Sequence, residues 1–119
     1  MLAGEPYLSD DPELLDDRVR CRRLTWRLNA LAPDDQPARD EIVTRLLGSI
    51  GAGAEVLSPF HCDYGYQITI GERTFVNFGA VILDSAAVDI GRDVQIGPGV
   101  QLVTPVHPLD RERRATTTR

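Results

Sequence analysis

From residue 50 onward, aliphatic side chains recur every six residues. One series is Ile50, Val56, Cys62 and Ile68; the next is Ile70, Val76, Ile82 and Val88; the last is Ile90, Ile96 and Leu102. The series are offset by 20 residues, so that Ile50-Gly51, Ile70-Gly71 and Ile90-Gly91 fall in phase. One inward side chain per six residues, inside a repeat long enough for one coil, predicts a parallel β-helix. Each face then contributes a short strand, and the columns Ile50/Ile70/Ile90, Val56/Val76/Ile96 and Cys62/Ile82/Leu102 form its core. Gly, Pro, Asn and Asp collect between the apolar triplets, where tight corners need backbone angles that other residues resist. Pro59, Gly79 and Gly99 share one corner phase. Residues 108–119 lose the beat and read as a loop or tail.

The first third of the chain has a helical period instead. Asp10-Asp11-Pro12-Glu13 is a helix start, with an Asp cap, Pro in the first turn and acids near the positive end of the dipole. Leu14, Leu15, Val19, Leu24, Leu28 and Leu31 follow at spacings near three and four. Pro33-Asp34-Asp35 ends this helix and prepares another, whose apolar stripe is Ala38, Ile42, Val43, Leu46 and Leu47; Gly48 is the expected stop. Residues 11–47 thus read as a helical hairpin, too small to be stable alone, within an N-terminal segment 1–48, and residues 49–107 as a β-helix of about three coils against which it leans. Trp26 is expected to pack.

Composition narrows the functions. The 119 residues, 42% of them hydrophobic, suit one folded domain. The net charge of −5, with 18 acidic and 13 basic residues interspersed, argues against a nucleic-acid or anionic-membrane partner. The cluster Arg18, Arg20, Arg22, Arg23 and Arg27 is offset by neighbouring acids and reads as a solvated helix face. Cys21 and Cys62 lie in different segments and give no disulfide framework; Cys62 is expected to pack inward. No leader or long apolar run is present in the sequence, which predicts a cytoplasmic address.

Several strings narrow the reading further. Phe60-His61-Cys62-Asp63-Tyr64-Gly65-Tyr66, Val76-Asn77-Phe78, Ile82-Leu83-Asp84 and His107-Pro108-Leu109-Asp110, behind a helical hairpin, resemble the maltose/galactoside O-acetyltransferases, relatives of the nodulation acetyltransferases among the hexapeptide-repeat acyltransferases. The resemblance covers nearly the whole chain. It implies a mainly β fold, a left-handed parallel β-helix behind an N-terminal α-helical hairpin, and a homotrimer. It also implies acetyl-CoA as co-substrate and a sugar or glycoside as acceptor, with no metal. The catalytic His of the family matches His107, and acceptor-contacting positions match Asp63, Asn77 and the corner Asp84-Ser85. Phe75 falls where some members carry an aromatic wall. Members of the family continue through further coils that supply most of the CoA groove, so the chain reads as C-terminally shortened and no CoA-binding residue is assigned.

The chemistry is consistent with that match. Acetyl transfer from a thioester to a hydroxyl needs a base, an oxyanion donor and two substrates held in near-attack geometry. His107 is the one good base of its region, with an ordinary pKa near 6.5. No nucleophile with a partner base stands out, which favours direct transfer. Asn77 is suited to hold the acceptor or donate to the oxyanion; Asp63 and Asp84, to grip hydroxyls or orient the imidazole. Asn77 and Asp84 are equally plain corner formers, Tyr64 and Tyr66 serve as packing or stacking surfaces, and His61 reads as a corner or packing residue. Two other functions are compatible with the repeat. One is a shortened, non-catalytic hexapeptide-repeat protein. The other is a metal-dependent hydratase, which His61 and His107 alone supply poorly with ligands.

Overall fold

The computed structural model describes residues 11–104. Two helices come first, α1 (Pro12–Asn29) and α2 (Gln36–Leu46). Nine short strands follow: β1 (Ser49–Ile50), β2 (Glu55–Val56), β3 (Phe60–Cys62), β4 (Ile68–Ile70), β5 (Phe75–Val76), β6 (Ala80–Leu83), β7 (Val88–Ile90), β8 (Gln95–Ile96) and β9 (Gln101–Val103).

The strands form three parallel sheets, β1-β4-β7, β2-β5-β8 and β3-β6-β9. Consecutive strands therefore lie on consecutive faces of a prism, and every third strand returns to the same face. The register is the 20-residue offset of the sequence: Ile50 pairs with Ile70 and Ile70 with Ile90, Val56 with Val76 and Val76 with Ile96, Cys62 with Ile82 and Ile82 with Leu102. Each column is apolar because its side chains turn away from water. Phe60, Val76, Ala80 and Ile82 are buried at its centre.

Corners obey the same repeat. Gly79 and Gly99 have φ of 85° and 72°, and Pro59 at the same phase follows a cis peptide bond. At another corner Arg73 and Asp93 adopt φ of 56° and 57° and are joined by two hydrogen bonds, 2.7 and 3.0 Å, from one guanidinium to one carboxylate. Gly71 has a different reason to be glycine: coils cross so closely there that a Cβ would lie 2.5 Å from the Arg92 backbone nitrogen and 2.7 Å from the Gly91 oxygen. Gly71→Ala is therefore expected to lower the stability by about 1–3 kcal/mol, measured as a shift of the denaturant midpoint with an unchanged slope.

The hairpin closes the first end of the prism. Asp11 caps α1 by accepting from the Glu13 and Leu14 nitrogens at 2.9 and 3.3 Å, and Asp35 caps α2 by accepting from Ala38. Cys21, Leu24, Leu28, Ile42, Val43 and Leu46 join Phe60 and Ile68 in one continuous core. The last residue of α1 is stitched to β3: Asn29 Oδ1 accepts from the Phe60 nitrogen at 2.9 Å, and Asn29 Nδ2 donates to the Phe60 oxygen at 3.0 Å.

Four expectations need correction. The buried face of α1 is Arg18, Cys21, Leu24, Thr25 and Leu28, whereas Leu15 and Val19 point to solvent, because the face is set by what α1 meets and not by its aliphatics. Trp26 does not pack; it is 72% exposed. Gly48 is not a left-handed stop, since α2 ends when Leu47 turns extended at φ −85°, ψ 158°. Gly48 is needed instead for space, because a Cβ would sit 2.4 Å from the Tyr66 oxygen. His61 is neither a corner nor a packing residue but an exposed side chain in the middle of β3. Among the described residues no helix is long and apolar enough to cross a membrane. The segments 1–10 and 105–119, with Asp10 and His107, lie outside the described residues.

Candidate active site

The corner between the third and first sheets carries the polar network of the molecule. Residues 63–67 lead from β3 to β4, and residues 84–87 make the same passage one coil further on. Asp84 is fully buried there. Its Oδ1 accepts from the Asp63 nitrogen at 3.1 Å and the Tyr64 nitrogen at 2.9 Å. Its Oδ2 accepts from the Gly65 nitrogen at 2.8 Å and the Gln67 nitrogen at 3.2 Å. One carboxylate thus closes four backbone N–H groups of the coil beneath it, which the tight loop leaves without ladder partners. Burial pushes the Asp84 carboxyl above its ordinary range, and the N–H groups of Tyr64, Gly65 and Gln67 pull against that.

Gln67 binds the same corner from below, donating through Nε2 to the Asp84 and Ser85 oxygens at 3.3 and 3.1 Å. Ser85 Oγ donates to Asp63 Oδ2 at 3.4 Å. Asp63 and Ser85 are both buried in this chain. The helical cap reaches in as well. Arg18 Nη1 donates to Tyr64 Oη at 3.2 Å, and Tyr66 Oη donates to Asp17 Oδ2 at 2.9 Å. Partial burial, and then the bond to Asp17, raise the Tyr66 hydroxyl well above the ordinary range for a phenol. The third coil is tied in by Thr104, whose Oγ1 donates to the Leu83 oxygen at 2.6 Å and accepts from the Ala86 nitrogen at 3.0 Å.

Of the site residues expected from the sequence, Asp63, Asp84 and Ser85 are therefore together. Asn77 is not with them. It stands at the corner after β5, where its Oδ1 accepts from the adjacent Phe78 nitrogen at 2.8 Å. Phe75 is half-buried on β5. Tyr64 is a buried packing aromatic, while Tyr66, 5.6 Å away between ring centres, keeps an exposed face. The sequence reading put Arg18 on a solvated face, whereas it is buried against Tyr64, and it missed Gln67 and the fourfold clamp on Asp84. Arg18 was within reach of it, lying three residues before Cys21 and seven before Thr25 on one helical face. Among the described residues no group of three or more His, Cys, Asp or Glu side chains is placed to hold a metal ion.

Residues 1–51 match the family pattern described as the maltose acetyltransferase hexapeptide capping motif. Nodulation protein L of Rhizobium meliloti (strain 1021) is 43% identical over 114 residues, covering 96% of this chain. The crystal structure of a maltose O-acetyltransferase from Clostridium difficile 630 superposes with a TM-score of 0.95 at 35% identity over 98% of this chain. Along nearly its whole length the chain is similar to members of the maltose/galactoside O-acetyltransferase family. Its prism is accordingly the left-handed parallel β-helix of hexapeptide-repeat acetyltransferases, behind the helical cap of that family. A hexapeptide-repeat acetyltransferase of Vibrio cholerae O1 biovar eltor, complexed with acetyl coenzyme A, superposes with a TM-score of 0.87 at 38% identity over 96% of this chain. The chain spans about three-fifths of these relatives: 62% of the nodulation protein, 62% of the Clostridium chain and 61% of the Vibrio chain.

Proposed function

We propose that this protein is an acetyl-CoA-dependent O-acetyltransferase acting on a sugar hydroxyl, with His107 as general base. The observation that carries the reading is the Asp63–Asp84–Ser85 corner, held rigid by six hydrogen bonds around Asp84 and Gln67. It lies beside Thr104, three residues before His107.

In the proposed reaction the acceptor hydroxyl attacks the thioester carbonyl as the His107 imidazole takes its proton. The tetrahedral intermediate collapses with loss of the CoA thiolate, which recovers the proton from the imidazolium. Asp63 and Ser85 supply acceptor contacts from one corner. Asp84 holds that corner in shape, its own oxygens already being filled by backbone donors.

Asn77 fits this scheme through a second copy of the chain. It is separated from Asp84 by six residues that include all of β6. One strand of the prism lies between the two positions. A homotrimer in which one protomer offers the Asn77 corner and its neighbour the Asp63 corner brings the two sets to one cleft, with residues 1–48 as the cap of each prism and residues 49–107 as its shared wall. A cytoplasmic address agrees with the use of acetyl-CoA.

The second reading is a non-catalytic hexapeptide-repeat protein. Titration calorimetry with acetyl-CoA separates the two. Saturable binding at one site per chain is the expected result; no heat at any concentration up to the millimolar range favours the assembly role.

A further inference from the structure

Cys21 on α1 and Cys62 on β3 are free thiols whose sulfurs lie 3.4 Å apart, although 41 residues separate them in sequence. Cys21 is fully buried, and its sulfur also lies 3.3 Å from the Cys62 carbonyl oxygen. Cys62 is partly accessible. Neither thiol has a part in the proposed acetyl transfer, and the pair bridges the two halves of the fold: the helical cap and the first coil of the prism.

We propose that Cys21 and Cys62 form an oxidative modification site, in which a peroxide converts Cys62 to a sulfenic acid and Cys21 then closes a disulfide between cap and prism. In the first step the Cys62 sulfur takes an oxygen from the peroxide as the O–O bond breaks. The thiol loses two electrons, and water or an alcohol is released. In the second step the Cys21 sulfur attacks the sulfenyl sulfur; the S–S bond forms, the S–O bond breaks, and the hydroxide departs with the Cys21 proton as water.

The geometry fixes which product forms. The partner sulfur is already in contact, so ring closure competes against a second oxidation with the advantage of an intramolecular reaction. The same packing sets the pace. The contact with Cys21, and then burial, hold the Cys62 thiol far above its ordinary range, so little thiolate is present and the site reacts slowly beside an exposed cysteine. The link adjoins Asp63 in sequence and fixes the acceptor corner to α1.

The native full chain, incubated with hydrogen peroxide and then alkylated, is expected to lose both thiols together. Its intact mass falls by two hydrogens, and peptide mapping joins Cys21 to Cys62. Dithiothreitol reverses the change, and the unfolding midpoint of the oxidised form rises by on the order of 10 °C. A Cys62→Ser chain is expected to keep its Cys21 thiol under the same exposure; the mass and mapping of the unaltered chain decide the matter even if that variant folds poorly. Sulfinic or sulfonic acid at Cys62 with Cys21 intact would overturn the proposal. So would disulfides formed mainly between chains, or two unreacted thiols under conditions that fully oxidise the same chain in urea.

Discussion

Replacing Asp84 with alanine is expected to remove about 3–5 kcal/mol of folding stability, enough to unfold much of a domain of ordinary stability. The side chain has no exposure, and its two oxygens take four backbone N–H groups from Asp63, Tyr64, Gly65 and Gln67. Alanine leaves those donors buried and unpaired, which costs more than the bonds themselves contribute. Asparagine is expected to do little better, because its amide turns N–H groups toward two of the donors. The expected readout is a lower denaturant midpoint for both variants, with the loss of the Tyr64–Gly65 loop from slow hydrogen exchange.

The same residue gives a pH dependence of definite sign. Its folded-state pKa is raised above the ordinary 3.8, so the folded chain holds that proton more tightly than the unfolded one. The contribution is fully present below the unfolded value and is lost as pH rises through the folded value. Acidification from neutral toward pH 4 should therefore favour the wild type over Asp84→Asn, which cannot titrate there. A gap between the two that narrows on acidification would place a different group in charge.

His107→Ala is expected to lower acetyl transfer by roughly 10²–10⁴-fold, the usual contribution of a general base, with the melting temperature unchanged. In terms of the barrier this is about 3–5 kcal/mol. The loss should appear in kcat, since the imidazole acts as the hydroxyl attacks and adds little to acceptor binding. The wild-type rate should rise with pH as the base loses its proton, and the residual rate of the variant should lose that step. A variant that keeps the wild-type rate would remove His107 from the mechanism.

The prism was readable because its design is local and repeated. A column such as Val56, Val76 and Ile96 needs no knowledge of the rest of the chain: each residue occupies the same place one coil on, and the register follows. The caps at Asp11 and Asp35 are local in the same way. What was not readable depends on partners distant in sequence. Arg18 belongs to the buried face of α1 because it meets Tyr64, 46 residues later, whereas a hydrophobic count prefers Leu15 and Val19. Asp84 looked like a corner former or a sugar contact; that it serves the coil beneath emerges only when residues about 20 apart are stacked. Asn77 could be placed in a corner, but not whether that corner and the Asp63 corner serve one cleft.

Acceptor-dependent release of the free CoA thiol, followed with acetyl-CoA and a panel of sugars and glycosides, tests the central claim most directly. The account predicts thiol release that needs both substrates, yields an O-acetylated sugar and disappears in His107→Ala. Release at the same rate without any acceptor, or none with every sugar tried while acetyl-CoA binds, would contradict it.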